Sequence, residues 1–317
     1  MILKYSIIVP VFNRPQEIKE LLESLEKQHH KEFEVIIVED GSDIDAKDIV
    51  ASFEDTLNIR YFFKPNSGAG QSRNYGMERA TGNYFLILDS DVIVPEGYIA
   101  AIEKRLKTNF TDAFGGPDAA HPSFSLLQKA IDYSMTSMMT TGGIRGNKRA
   151  KNKFQPRSFN LGISKIAFEK TQGFSKMKIG EDIDLSFRLW ELGFETQLIE
   201  EAYVFHKRRS TLKQFYQQTN NFGYARPFLN KKFPNTGKIT YWFPTVFILL
   251  FLIALLGYAM GATFLISCFG VYFCILFIGC MFRYKDVIVA TLCCITTLVQ
   301  FTGYGLGFLK AQLGLSK

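Results

Sequence analysis

The hydrophobic pattern changes character along the chain. Over residues 1–110, short apolar runs alternate with stretches of helical period. Tyr5 to Val9 is an apolar run closed by a Pro and Asn turn, and it reads as a buried parallel strand. Pro15 opens a helical pattern with Ile18, Leu21, Leu22 and Leu25 on one face. Phe33 to Val38 and Ile59 to Phe63 repeat the strand pattern, with a helical stretch from Ile49 to Phe53 between them. Ser72 to Ala80 reads as a helix and Tyr84 to Leu88 as a fourth strand. This alternation predicts a doubly wound α/β sheet, whose ligands bind beyond the carboxyl ends of the strands. Two acidic clusters fall at such ends: Glu39-Asp40 and Asp89-Ser90-Asp91.

Further on, Glu181 to Leu192 predicts a helix stopped by Gly193. Thr196 to Phe205 predicts one strand, leading to His206-Lys207-Arg208-Arg209. Leu212 to Leu229 mixes aromatic with polar residues, as a helix lying along a membrane surface would. Then charge disappears: none occurs from Ile239 to Phe282, nor from Val287 to Leu309. A membrane-spanning helix needs about 20 apolar residues. The tail therefore predicts three spans, at 241–257, 261–282 and 287–309, and excludes a fully soluble protein. Gln300 and three nearby glycines make the last span the weakest.

Charge sharpens this division. The net charge is +7 over 317 residues, and the part before the spans is only mildly basic, so nucleic acid is not an indicated partner. Basic residues before the first span (Lys231, Lys232, Lys238) and after the second (Arg283, Lys285) place both groups in the cytoplasm. Three spans then leave Lys310 on the far side, against that rule. All five cysteines lie in the apolar tail, so the hydrophilic part has neither disulfide nor thiolate metal cluster. Met1 to Pro10 lacks the pattern of a signal peptide, and the hydrophilic part is expected in the cytoplasm. A run from Arg145 to Arg157, basic and without acidic residues, predicts a lid or an acceptor loop, or simply a solvated segment.

Candidate chemistry follows from position. Asp89 and Asp91, two apart just past a strand, can face one hard cation such as Mg2+ or Mn2+, or form a polar turn. Asp40 with Ser42 can accept from a base or a ribose, or close a turn. The glycines of Asn66 to Gly70 permit close backbone approach to a nucleotide, and Arg73 can pair with phosphate or stay a surface residue. Glu181-Asp182 opens a helix either as a cap or as a general base. His206 follows a strand and precedes a basic cluster, which suits a metal or diphosphate role as well as a plain surface histidine.

Taken in order, six stretches resemble the family 2 glycosyltransferases of the GT-A fold: SIIVPVFNRP (6–15), VIIVEDGSD (35–43), NSGAGQSRNYGMERATGNYFLILDSD (66–91), NLGISKIAFEKTQGF (160–174), GEDIDLSFRLWELGF (180–194) and FHKRRSTLKQF (205–215). The resemblance implies a Rossmann-like mixed sheet flanked by helices over 1–230. Its nucleotide half would be 1–110 and its acceptor half 111–230, with a membrane region at 231–317. It implies that Pro10, Phe12, Asn13, Asp40, Gly68, Arg73, Asp89 and Ser90 bind a nucleotide-sugar donor. Asp91, Asp89 and His206 would hold Mg2+ or Mn2+, and Asp182, paired with Glu181, would be the base. The implied reaction is inverting transfer, with a UDP-sugar as donor and a lipid-linked or membrane-bound glycan as acceptor, at the inner membrane. Processive members carry Gln-x-x-Arg-Trp; here the stretch reads QQTNNFGYARPF, which disfavours a polymerising synthase. Polyprenyl-phosphate glycosyltransferases share the domain order, but VIVPEGY after Asp91 departs from their wording. An inactive nucleotide-binding scaffold is the rival from another class, and it has no need of Asp89, Asp91, Asp182 and His206 together.

Overall fold

The computed structural model describes residues 2–119, 121, 123–141 and 153–315. Most of the expected basic loop, through residue 152, lies outside them. The chain separates by packing into two compact units: Met1–His121 with Asn147–His206, and Pro122–Gly146 with Lys207–Lys317. This division follows contacts, whereas the expected boundary at residue 230 is one of role.

The first unit holds a seven-stranded sheet of order β3-β2-β1-β4-β8-β6-β9. Its strands are β1 (Tyr5–Val11), β2 (Phe33–Asp40), β3 (Ile59–Lys64), β4 (Tyr84–Leu88), β6 (Ala113–Gly115), β8 (Asn160–Ser164) and β9 (Thr196–Leu198). Strands β3, β2, β1 and β4 are parallel, and β8 runs against both β4 and β6. The sheet is thus mixed. Period-two alternation explains why both faces are covered. Ile7, Val9, Val35, Ile37, Leu86 and Leu88 face one core, with α1 (Pro15–Glu26) and α4 (Tyr98–Thr108). Ile8, Ile36, Val38, Phe85 and Ile87 face the other, with α3 (Ala69–Arg79) and α8 (Glu181–Glu191). At Gly76 of α3 a Cβ would come within 2.6 Å of Ile8, so the bare backbone lets the helix lie close on the sheet. The short helices α2 (Lys47–Ala51) and α7 (Lys165–Thr171) complete the layers.

Thr196 to Phe205 is not one strand. Glu200 and Glu201 are exposed, and Ala202 donates back to the Ile199 carbonyl at 3.2 Å, closing a turn. The run divides into β9 in the large sheet and β10 (Val204–His206) in a small one of order β5-β10-β7, with β5 (Val92–Ile93) and β7 (Asp118–Ala119).

Glu34 of β2 is a buried carboxylate with a full set of donors. It accepts from Ser6 Oγ (2.6 Å), from Thr81 N (2.6 Å) and Oγ1 (2.9 Å), and from Gly82 N (3.3 Å). Burial pushes its pKa up, but these hydrogen bonds outweigh burial and hold it below the ordinary 4.5. A depressed folded value means stability that is present above 4.5 and lost as pH falls through the folded pKa. Glu34→Gln should cost about 2 kcal/mol at neutral pH. Thermal unfolding in detergent should show that deficit shrinking below about pH 4; a deficit that did not change with pH would refute the assignment.

The second unit is helical: α5 (Leu126–Thr136), α6 (Met138–Thr141), α9 (Leu212–Lys232), a 3-10 turn (Ile239–Trp242), α10 (Phe243–Ala259), α11 (Phe264–Tyr284) and α12 (Val287–Gln312). Three segments, Ile239–Ala259, Phe264–Tyr284 and Val287–Gln312, are helical, long and apolar enough to cross a membrane. Expected to lie along the membrane surface, α9 packs along α12. Its Gly223 meets the backbone of Tyr304 and Phe308, while Gly303 and Gly307 of α12 meet Thr219 and Asn220. Of the three glycines that weaken the last span in sequence, Gly303 and Gly307 are thus the small-residue seam on which α9 sits, while Gly305 meets Pro244 and Thr245 of α10. Buried Asp132 of α5 accepts from Arg208 (2.7 Å), Arg283 (2.9 Å) and Tyr284 (2.8 Å), tying α5 to the end of α11.

Candidate active site

Strand β4 ends at Leu88, and Asp89-Ser90-Asp91 form the turn into β5. The β10–β5 register sets His206 opposite Val92, next to Asp91. His206 Nε2 lies 3.2 Å from Asp91 Oδ1. The ring stacks on Phe159 at 4.8 Å, and its Nδ1 is buried with no hydrogen-bond partner among the described residues. Asp89, Asp91 and His206 offer ligand atoms all within 4.8 Å of one another. Two hard carboxylate oxygens and an imidazole nitrogen suit Mg2+ or Mn2+. The imidazole atom on the Asp91 side is Nε2, so it is the nitrogen that would face the cation. Ser90 is buried between the aspartates.

Arg73, on α3, is 3% exposed, and the structure gives it a definite task. It donates to Asp89 Oδ1 at 2.6 Å and to Glu181 Oε1 at 3.1 Å, and lies over the Phe174 ring at 5.1 Å. The resemblance puts Arg73 against the donor's nucleotide or diphosphate; in the fold it joins the Asp-x-Asp turn to the start of α8. Burial opposes its charge, but Asp89 and then Glu181 outweigh burial, so its pKa is raised. Burial raises the pKa of Glu181, and Asp182 adds to this while Arg73 counters it. Gly180, at φ 80, turns the chain into α8 in a conformation costly for other residues. Asp182 follows in the first turn. Its Oδ1 accepts from the N–H of Ile183 at 2.8 Å, and Arg157 stands 3.6 Å from its Oδ2.

The residues expected on the nucleotide side gather around the ends of β1 and β2. Pro10 is buried in β1, while Phe12 is 48% exposed. Asn13, at φ 52, donates its N–H to Ser42 Oγ at 2.7 Å, and its side-chain oxygen accepts from the N–H groups of Asp43 (2.9 Å) and Ile44 (3.1 Å). Asp40 is 3% exposed; it accepts from Ser67 N (2.9 Å), Gly68 N (2.8 Å) and Lys64, and so fixes the loop before α3. The next residue after Asn13 connects this group to the acidic one: Arg14 donates to Asp91 Oδ2. Arg14, Arg157 and Phe159 were not singled out from the sequence. Arg14 sits inside the first matching stretch and Arg157 ends the basic run, but neither signal named a partner.

A mixed sheet with the Asp-x-Asp turn at the end of β4 defines a GT-A architecture, and solved structures share it. A mannosyltransferase of Pyrobaculum calidifontis, described in complex with GDP-Man and Mn2+, superposes with a TM-score of 0.61 at 13% identity, over 100% of this chain and 89% of its own. Residues 1–349 of Staphylococcus aureus TarS give 0.52 at 17% identity, over 98% and 92%. The model of Glycosyl transferase family 2 matches residues 6–171, and the chain belongs to that family. The GalNAc(5)-diNAcBac-PP-undecaprenol beta-1,3-glucosyltransferase of Campylobacter jejuni is 30% identical over 229 residues, 70% of this chain and 69% of that one. An uncharacterised glycosyltransferase of Rickettsia felis is 40% identical over 104 residues, which is 33% of this chain but 17% of that relative's length.

Proposed function

We propose that this chain transfers a sugar, with inversion, from a UDP-sugar to a lipid-linked or membrane-bound glycan in cell-surface polysaccharide or glycoconjugate assembly. The observation that carries this reading is the joining, through Arg73, of the Asp89, Asp91 and His206 cluster to the helix start bearing Asp182. The undecaprenol-linked acceptor in the Campylobacter relative's name supports the acceptor class. A TarS structure with UDP-GlcNAc supports the donor class. Three apolar helices support a membrane-anchored enzyme, and anchoring raises the effective concentration of a membrane acceptor. In this reading 1–230 is the catalytic region, on the cytoplasmic side of the inner membrane where nucleotide sugars are found, and 231–317 is the anchor.

Pro10, Phe12, Asn13, Asp40, Gly68 and Ser90 line the nucleotide side. Asp89, Asp91 and His206 would hold Mg2+ or Mn2+, which would supply countercharge to the leaving diphosphate. Asp182 takes the proton of the acceptor hydroxyl, which attacks the anomeric carbon from the face opposite the diphosphate. Glu181 and Arg73 keep that carboxylate in register with the Asp-x-Asp turn.

The test is a donor screen on purified full-length protein in detergent, with each nucleotide sugar, Mg2+ or Mn2+ and membrane lipid extract. Nucleoside diphosphate release that requires both metal and extract, and drops at least about a hundredfold in Asp91→Ala, is expected. Release that persists in Asp91→Ala would remove the assigned site. Nucleotide binding without release from any donor would favour the scaffold.

A further inference from the structure

We propose that Arg14 is a positioning residue that makes divalent-cation binding conditional on the donor's diphosphate; the inference rests on the reading above. Each aspartate of the Asp-x-Asp turn faces a guanidinium: Asp89 faces Arg73, and Asp91 faces Arg14. A cation arriving alone therefore competes with a guanidinium for each carboxylate.

The two arginines differ in freedom. Arg73 is 3% exposed, shared with Glu181 and stacked on Phe174, so it is fixed. The Arg14 side chain is 32% exposed, and Asp91 is its ion-pair partner. Its backbone is held instead, because Asn13 is pinned to Ser42, Asp43 and Ile44, and the Arg14 carbonyl accepts from Ile18 N at 3.1 Å. The guanidinium can thus turn while the loop stays.

When a cation takes over Asp91, Arg14 loses its ion-pair partner. Binding of the cation alone bears that cost in full. A cation bound together with a diphosphate brings an anion to which the guanidinium can turn, as planar guanidinium suits phosphate. Cation and diphosphate should therefore bind more cooperatively than their own attraction for each other provides, with Arg14 supplying the added coupling, felt equally by both ligands.

The experiment titrates Mn2+, detected by electron paramagnetic resonance, into full-length protein in detergent, with and without saturating UDP or GDP. In the wild type, nucleotide should tighten Mn2+ binding by about tenfold or more. Arg14→Gln should bind free Mn2+ tighter than the wild type and show a nucleotide enhancement smaller by about threefold or more. Arg14→Lys, which keeps the charge, should retain part of it. Coupling unchanged in a folded Arg14→Gln overturns the inference while sparing the proposed function. Wild-type Mn2+ binding indifferent to both nucleotides overturns it without any variant. Absence of Mn2+ binding under every condition overturns both the inference and the assigned metal site.

Discussion

Asp182→Asn is expected to lower turnover about a thousandfold while leaving donor affinity unchanged. The substitution removes the only property the mechanism asks of this side chain, a carboxylate able to take a proton. Shape and the local bond are kept, because an amide oxygen can still accept from Ile183 N, which is 2.8 Å from Oδ1. The side chain is placed by the turn at Gly180 and the first turn of α8, so the helix start should not shift. Arg157, 3.6 Å away, is partly exposed. The assay compares nucleoside diphosphate release with nucleotide affinity measured directly. A folded variant that binds donor and keeps full turnover would falsify the assignment of Asp182 as the base.

Arg73→Leu is expected to destabilise the first unit by about 3–5 kcal/mol, the cost of removing one partner from a buried charge cluster. Asp89 and Glu181 would lose the cation they share, at 2.6 and 3.1 Å. The loss should depend on pH in a defined direction. Burial already raises the Glu181 pKa, Asp182 adds to it, and Arg73 is the term that counters them. Without Arg73, the folded value rises further above the unfolded one. A raised carboxylate is accommodated when protonated, and stability is lost as pH rises through the folded pKa. The variant should therefore be nearer to wild type at about pH 5 than at about pH 8 in thermal unfolding. If Arg73 served only the diphosphate, the variant would weaken nucleotide binding and leave the melting temperature unchanged at both pH values.

The local pattern alone carried much of the fold. Tyr84 to Leu88 was legible as a strand because each of its residues is apolar and it ends at Asp89. Pro15 marked the start of α1. The three apolar helices were legible because charge is absent over lengths that match a bilayer. Position at strand ends picked out Asp40, Asp89 and Asp91, and the order of short motifs added Asp182 and His206.

Partnership is what the tertiary structure decided. Asp91 and His206 meet because β5 and β10 pair in one register, a relation between two-residue and three-residue strands too short to read in sequence. Arg14 reaches Asp91 across 77 positions, and Arg73 reaches Glu181 across 108. Periodicity reports which face of one element is buried, not which element covers it. For the same reason Thr196 to Phe205 looked like one strand, although two different sheets claim its ends. The glycines of α12 looked like a weak span until α9 and α10 were seen against them. Composition along the chain determined the elements, the three long apolar helices and the acidic ends of the strands. Which charges neutralise one another, and hence how the site binds its ligands, was set by packing alone, because an ion pair between distant residues leaves no local trace.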